Sequence, residues 1–191
     1  MDKIQEAASV LHRDGIIVYP TETVYGLGAD ALSEHAIHRV YEVKQRLLSK
    51  PMSVAVSDIE MLNVVARVGE EEEKFVKKFL PGPVTVVLPS TSCLPEVLTG
   101  GTGLIGVRMP DHEIAQAIIK EFDMPITSTS ANISGREPPV RFDQVTVTYD
   151  LFVDGGTLSG TPSTVVDLVH RQILRAGARV EEIGQFLSKM D

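Results

Sequence analysis

Apolar residues recur along the chain with two spacings, and each change of spacing marks a change of element. Ile4, Ala7, Ala8 and Leu11 keep the i, i+3, i+4, i+7 rhythm of one helix face, so a helix is expected over 2–13, with Gly15 offering the left-handed position that ends it. IIVY at 16–19 is then a short β-rich strand. Ser33 can cap a second helix over 34–46 with an apolar face of Ala36, Ile37, Val40 and Tyr41, which leaves Lys44 on or next to that face near its end. MSVAV at 52–56 is expected as a strand, Asp58 caps a short helix, and Glu70–Glu73 open a helix whose lysines lie toward its end, the polarity the helix dipole favours. PGPVTVVLP at 81–89 is a turn entering a strand, LIGVRMP at 104–110 is another, Asp111 caps EIAQAIIKEF, and PITSTS at 125–130 begins as a strand. STVVDLV and ILRAG follow, then an amphipathic helix carrying Val180, Ile183, Phe186, Leu187 and Met190. The piece at 90–103, STSCLPEVLTGGTG, reads as a loop because neither flank loses the pattern. Such alternation favours an α/β fold, a twisted mixed sheet with helices packed on it.

Composition narrows the class. At 191 residues the chain has the length of one domain, 1–191, able to bury roughly 70% of the surface its unfolded form exposes. No apolar run approaches the roughly 20 residues a membrane helix needs, and the N-terminus lacks a signal peptide's apolar core, so a cytoplasmic protein with no membrane partner is expected. One cysteine, Cys93, excludes an internal disulfide framework and is read as a bystander; with five scattered histidines it also argues against a zinc site. The net charge of −8 repels phosphate polymers at long range.

Against that charge, four stretches run from an apolar element into polar residues: PTETVYGLG, KQRLLSKP, VRMPDH and STSANISG. Ligands of open α/β sheets sit where such strand ends meet, so the four could build one pocket. Lys44, Arg46 and Lys50 form a basic cluster suited to a polyphosphate or carboxylate, although a helix C-terminus attracts cations anyway. Ser128, Thr129, Ser130, Asn132, Ser134 and Gly135 can offer donors to an anion or simply hold a turn together. Arg108, on a strand otherwise made of Leu104, Ile105 and Val107, wants a bidentate anion, which could be a ligand or a structural Asp or Glu. If the first strand continues, Thr21 and Thr23 point one way and Glu22 the other. Neither a dinucleotide-type nor a Walker-type glycine motif is present, and no nucleophile elbow.

Taken in order, IIVYPTETVYGLG, the K-x-R at Lys44–Arg46, VRMP at 107–110, SANISG at 130–135, STVVD at 163–167 and ILRAG at 173–177 resemble the YrdC-like family over nearly the whole chain. The resemblance implies a twisted α/β sheet with a basic central cavity. It implies a nucleotidyltransferase that joins L-threonine, bicarbonate and ATP into threonylcarbamoyladenylate with loss of pyrophosphate, feeding the t6A modification of tRNA through a separate transferase. Carried over by position, the family's K-x-R/S-x-N set falls on Lys44, Arg46, Ser130 and Asn132 as catalytic residues. Thr23, Arg108 and Ser130 match threonine-binding positions. Lys44, Arg46, Lys50, Asn132, Ser134, Ser163 and Arg175 match positions for ATP, with Mg²⁺ on the phosphates and no protein side chain assigned to the metal.

Leu47 stands where the family often has proline, and Ala55 where many members have histidine. The extra C-terminal domain of longer synthases is expected to be absent, leaving closure to the chain's own loops, with 136–150 as the lid. Two rival readings are an RNA-binding or ribosome-maturation factor using the same basic cavity, with direct RNA contact, and a paralogue that adenylates a different carbamoyl or acyl substrate.

Overall fold

The computed structural model describes residues 2–190. Its first half holds α1 (Lys3–Leu11), β1 (Ile17–Tyr19), β2 (Gly26–Gly28), α2 (Glu34–Val43), β3 (Ser53–Ala55), α3 (Ile59–Val65), α4 (Glu70–Phe79) and β4 (Val84–Pro89). The second half holds α5 (Glu96–Thr99), β5 (Leu104–Arg108), α6 (Glu113–Phe122), β6 (Ile126–Ser130), β7 (Leu151–Phe152), β8 (Thr164–Asp167), β9 (Gln172–Arg175) and α7 (Val180–Leu187). The strands form one mixed sheet in the order β7-β1-β2-β6-β3-β5-β4-β8-β9. No helix among the described residues is long and apolar enough to cross a membrane.

Because strand residues alternate faces, the sheet buries two separate sets of apolar groups. On one face Val18, Leu27, Val54, Val86, Val107 and Val166 meet the apolar sides of α2, α3, α4 and α7 in the larger core. On the other, Ile17, Tyr19, Ala55 and Ile126 meet α1 and α6 through Leu11, Ile118 and Phe122. Each such large side chain contributes about 1.5–3 kcal/mol on leaving water.

The two helices α1 and α6 cover only part of that second face. Residues paired across strands share a face, and Ala55 pairs with Arg108, Arg108 with Thr85, Thr85 with Val165, and Val165 with Arg175. On the other side Ser53 pairs with Ser128 and Gly26 with Ser130. Small and polar side chains therefore continue the face beyond the helices and leave it unpacked. That bare stretch becomes a floor.

Several local expectations change. The first helix stops at Leu11, two residues early, and Asp14 takes the left-handed conformation (φ 58°) in place of Gly15. The segment GLG, expected as part of a loop, is β2: without side chains its glycines can lie against the Tyr19 ring, 2.9 Å from where a Cβ on Gly26 would stand. The loop 90–103 contains the single turn α5, ended by Gly100. Asp111 does not cap α6. His112 occupies that place with no side-chain cap, and Gln116 Nε2 instead reaches back to the Pro110 carbonyl at 2.9 Å. Ser33 and Asp58 do cap, accepting from the amides of Ala36 and Met61.

The second helix stops at Val43, three residues early. Gln45 is left-handed (φ 50°), its amide donates to Glu42 O at 2.9 Å, and the Arg46 amide donates to Tyr41 O at 2.9 Å. This is a Schellman closure with Lys44 at the cap. It turns Lys44 and Arg46 off the helix and toward the floor.

Candidate active site

A cavity of about 250 Å³ stands on the bare floor, and its charged lining consists of Lys44, Arg46, Arg108 and Arg175 with no carboxylate. Four cations facing one space inside a chain of net charge −8 make the cavity the basic island of an acidic protein. Its chemistry is that of an anion receptor.

One wall is the stretch 20–25. β1 ends at Tyr19, and the Thr21 hydroxyl closes a local turn by donating to Val24 O at 2.7 Å and accepting from the Thr23 and Val24 amides. Thr21 Oγ1 and Thr23 Oγ1 lie 2.9 Å apart, and Arg108 Nη2 donates to Thr23 Oγ1 at 2.6 Å. The two threonines thus share a side, but through this turn, since the strand does not continue past Tyr19. Glu22 does not point away: the bend brings Oε1 within 3.0 Å of the same Arg108 Nη2. The guanidinium N–H groups are not aimed at it, so both Glu22 oxygens and Arg108 Nε remain buried without a hydrogen bond. Arg108 therefore has a structural acid beside it and still keeps unused donors for a ligand.

A second wall joins the end of α2 to the segment after β6. Lys44, 2% exposed, donates from Nζ to the carbonyls of Ser130 and, at 2.8 Å, of Asn132, while its own carbonyl accepts from the Ser134 amide at 2.9 Å. Burial first, then the neighbouring charge of Arg46, pulls the Lys44 ammonium down from 10.5 to about 8. The Asn132 amide nitrogen holds the turn by donating to Ile133 O and Arg136 O, leaving Asn132 Oδ1 and Ser134 Oγ buried and unpartnered beside the cavity. Arg46 is half-buried and clasps its own loop, donating to Pro51 O at 2.7 Å.

At the far end Arg175 donates from Nη2 to Ser163 O and Oγ, both at 2.8 Å, and Ser163 Oγ lies 3.1 Å from Thr85 Oγ1. Desolvation where it lies against Ser163, then the charge of Arg108, pulls the otherwise exposed Arg175 guanidinium below its ordinary value. The fold thus brings Thr23, Lys44, Arg46, Arg108, Ser130, Asn132, Ser134, Ser163 and Arg175 around one space. Lys50 is the exception. Its side chain is exposed and outside the lining, and its contribution is a backbone carbonyl that accepts from Tyr41 Oη at 2.9 Å.

Ser53 and Thr85 line the cavity without having been singled out from the sequence. Their signal was a lone hydroxyl in an apolar strand, at a parity that only cross-strand pairing can align with Arg108. Among the described residues no cluster of His, Cys, Asp or Glu could hold a metal ion. The cavity does not fit a resident metal of its own.

Gly177 ties this end together. A Cβ there would stand 2.3 Å from Pro162 O and 2.7 Å from the Ser163 carbonyl, against backbone that cannot step aside. Gly177→Ala is expected to cost about 2 kcal/mol of stability and to shift Ser163 and Arg175. Urea unfolding should show that loss, and an unchanged stability would contradict it.

The Sua5–YciO–YrdC family model, described as "Telomere recombination", matches residues 9–177. A threonylcarbamoyl-AMP synthase of Pyrococcus abyssi is 40% identical over 98% of this chain and 58% of its own length. One of Shigella boydii is 33% identical over 92% of this chain and 96% of its own. The crystal structure of P. abyssi Sua5 complexed with L-threonine superposes with a TM-score of 0.93 at 39% identity, covering 98% of this chain and 58% of that one. The chain thus spans about three-fifths of the length of the Pyrococcus relative.

Proposed function

Because the chain belongs to the Sua5–YciO–YrdC family, over a match of residues 9–177, we propose that it adenylates the carbamate of L-threonine, consuming bicarbonate and ATP and releasing pyrophosphate. The observation that carries this reading is the cavity lined by four cations and no carboxylate, with Arg108 bound to Thr23 at one end and Arg175 bound to Ser163 at the other. One end suits an amino-acid carboxylate and the other a nucleotide, and Lys44 and Arg46 add two cations from a further wall.

The chemistry needs little more than placement and charge. Carbamate and triphosphate are both anions, so bringing the carbamate oxygen onto the α-phosphorus requires cations on either side. Arg108 holds the threonine carboxylate through its unused donors while Thr23 and Ser130 read the amino acid's polar groups. Lys44, Arg46 and Arg175 balance the charge that moves onto departing pyrophosphate. Asn132 Oδ1 and Ser134 Oγ, buried and unpartnered, accept from ligand N–H or O–H groups. No covalent enzyme intermediate is needed. Mg²⁺ would come with ATP as part of the substrate, since no carboxylate of the cavity lining would hold it.

The product serves the t6A modification of tRNA, through a separate transferase, in the cytoplasm. Segment 136–150 closes the cavity, the whole chain 1–191 acting as one catalytic domain. The reading with RNA in the cavity is less supported, since two of its four cations, Lys44 and Arg108, are only 2% and 7% exposed. The test is pyrophosphate release with threonine, bicarbonate and ATP, each omitted in turn, and mass spectrometry of the nucleotide product. Release that needs all three and yields a threonylcarbamoyl-adenylate mass supports the reading; release indifferent to threonine or bicarbonate refutes it.

A further inference from the structure

Lys44 has the surroundings of a group that can give up its proton as well as carry it. Two of the three bonding directions at Nζ are fixed on the carbonyls of Ser130 and Asn132, and the third is left for the cavity that Lys44 lines. An amine satisfies both carbonyls in either state: the ammonium presents a third N–H to the cavity, the neutral form a lone pair. No carboxylate lines the cavity to hold the charged form. The charges facing it are Arg46 on its own loop, Arg108 on β5 and Arg175 on β9, all of the same sign. Burial and Arg46 bring Lys44 to about 8, within reach of neutral pH.

Resting on the reaction proposed above, we propose that Lys44 is the general base that deprotonates the ammonium of bound threonine. Bound amino acid enters as an ammonium, which has no lone pair for carbon. Lys44 Nζ takes one proton, and the freed amine attacks the bicarbonate carbon, displacing water. The step balances: ammonium, bicarbonate and neutral lysine give carbamate, water and lysine ammonium. A positioned base of this kind is worth roughly 10² to 10⁴ in rate. The same transfer prepares the next step, because Lys44 becomes a cation at the moment the carbamate approaches the α-phosphate. Its proton returns to solvent before the next turnover.

Reversal separates this role from a purely electrostatic one. Forward pyrophosphate release requires threonine to be deprotonated, whereas forming ATP from threonylcarbamoyl-adenylate and pyrophosphate requires only the phosphoryl exchange. Lys44→Arg keeps the positive charge and removes the base. The variant should lose at least about 10²-fold more in the forward rate than in ATP formation. In the wild type the forward kcat should rise with pH and level off near 8, while ATP formation should lack that rising limb. This second readout needs no variant to fold. Equal losses in both directions for Lys44→Arg, or the same rising limb in both, would overturn the proposal while leaving the reaction standing. Wild-type protein that neither makes threonylcarbamoyl-adenylate nor forms ATP from it and pyrophosphate would overturn the reaction itself.

Discussion

Replacing Arg108 by alanine is expected to lower kcat/KM for threonine by about 10² to 10³ and to destabilise the protein at the same time. Its Nη2 donates to Thr23 at 2.6 Å, and its remaining donors are the groups the cavity offers to a carboxylate at this end. Losing one partner of a desolvated charge pair costs about 2–5 kcal/mol, and 1.4 kcal/mol is tenfold. The stability loss has a different origin. Glu22 is 15% exposed with both oxygens unbonded, and without the guanidinium 3.0 Å away it would be a buried charge with no counter-ion. The double variant Arg108→Met, Glu22→Gln separates the two effects. Its melting temperature should return most of the way to wild type, while threonine-dependent pyrophosphate release stays low. An Arg108→Ala protein whose KM for threonine moves less than threefold would remove Arg108 from substrate binding.

The ligand-free protein should also become more stable as pH rises from 8 toward 10. Lys44 falls from 10.5 to about 8 on folding, so between these values the unfolded chain binds a proton that the native state has released. Stability rises with pH wherever the unfolded state holds more protons. Each pH unit is worth about 1.36 kcal/mol, giving about 3 kcal/mol across the whole window. The gain is cut short at the upper end. Tyr19, Tyr25 and Tyr41 are raised by burial above their ordinary value, so the unfolded chain ionises them first and their contribution declines once pH passes 10. Urea unfolding at intervals from pH 7 to 10 would show the rise, and Lys44→Met should flatten it. A wild-type curve already flat from 8 to 10 would mean that Lys44 stays protonated in the native state.

Most elements of the fold could be read from spacing alone, because α1, α2, α4, α6 and α7 bury one stripe each and most strands carry β-branched runs. What failed had no such stripe. Strand β2 is Gly-Leu-Gly, and it pairs because a flat backbone fits beneath Tyr19, a long-range fact invisible in three residues. The cap of α6 moved to His112 because Gln116 closes that turn from inside the helix. In the site, residue types announced the cations and hydroxyls but not their roles. Nothing local says that Glu22 would bend back onto Arg108, or that Lys50 would offer only its carbonyl. Lys44 was readable as a cation. Its environment of two carbonyls and no acid is set by a segment 86 residues away.

The Schellman closure of α2 ties two parts of the cavity into one cooperative unit. Lys44 is held at both ends by the segment after β6, through Nζ on the Ser130 and Asn132 carbonyls and through its own carbonyl on the Ser134 amide. Neither segment can fray without releasing the other, so their amide protons should exchange with solvent at a common rate. The floor amides, lying in interior strands, should exchange more slowly still. Any opening of the cavity is then expected from the loops above, with the floor and this wall moving as one piece.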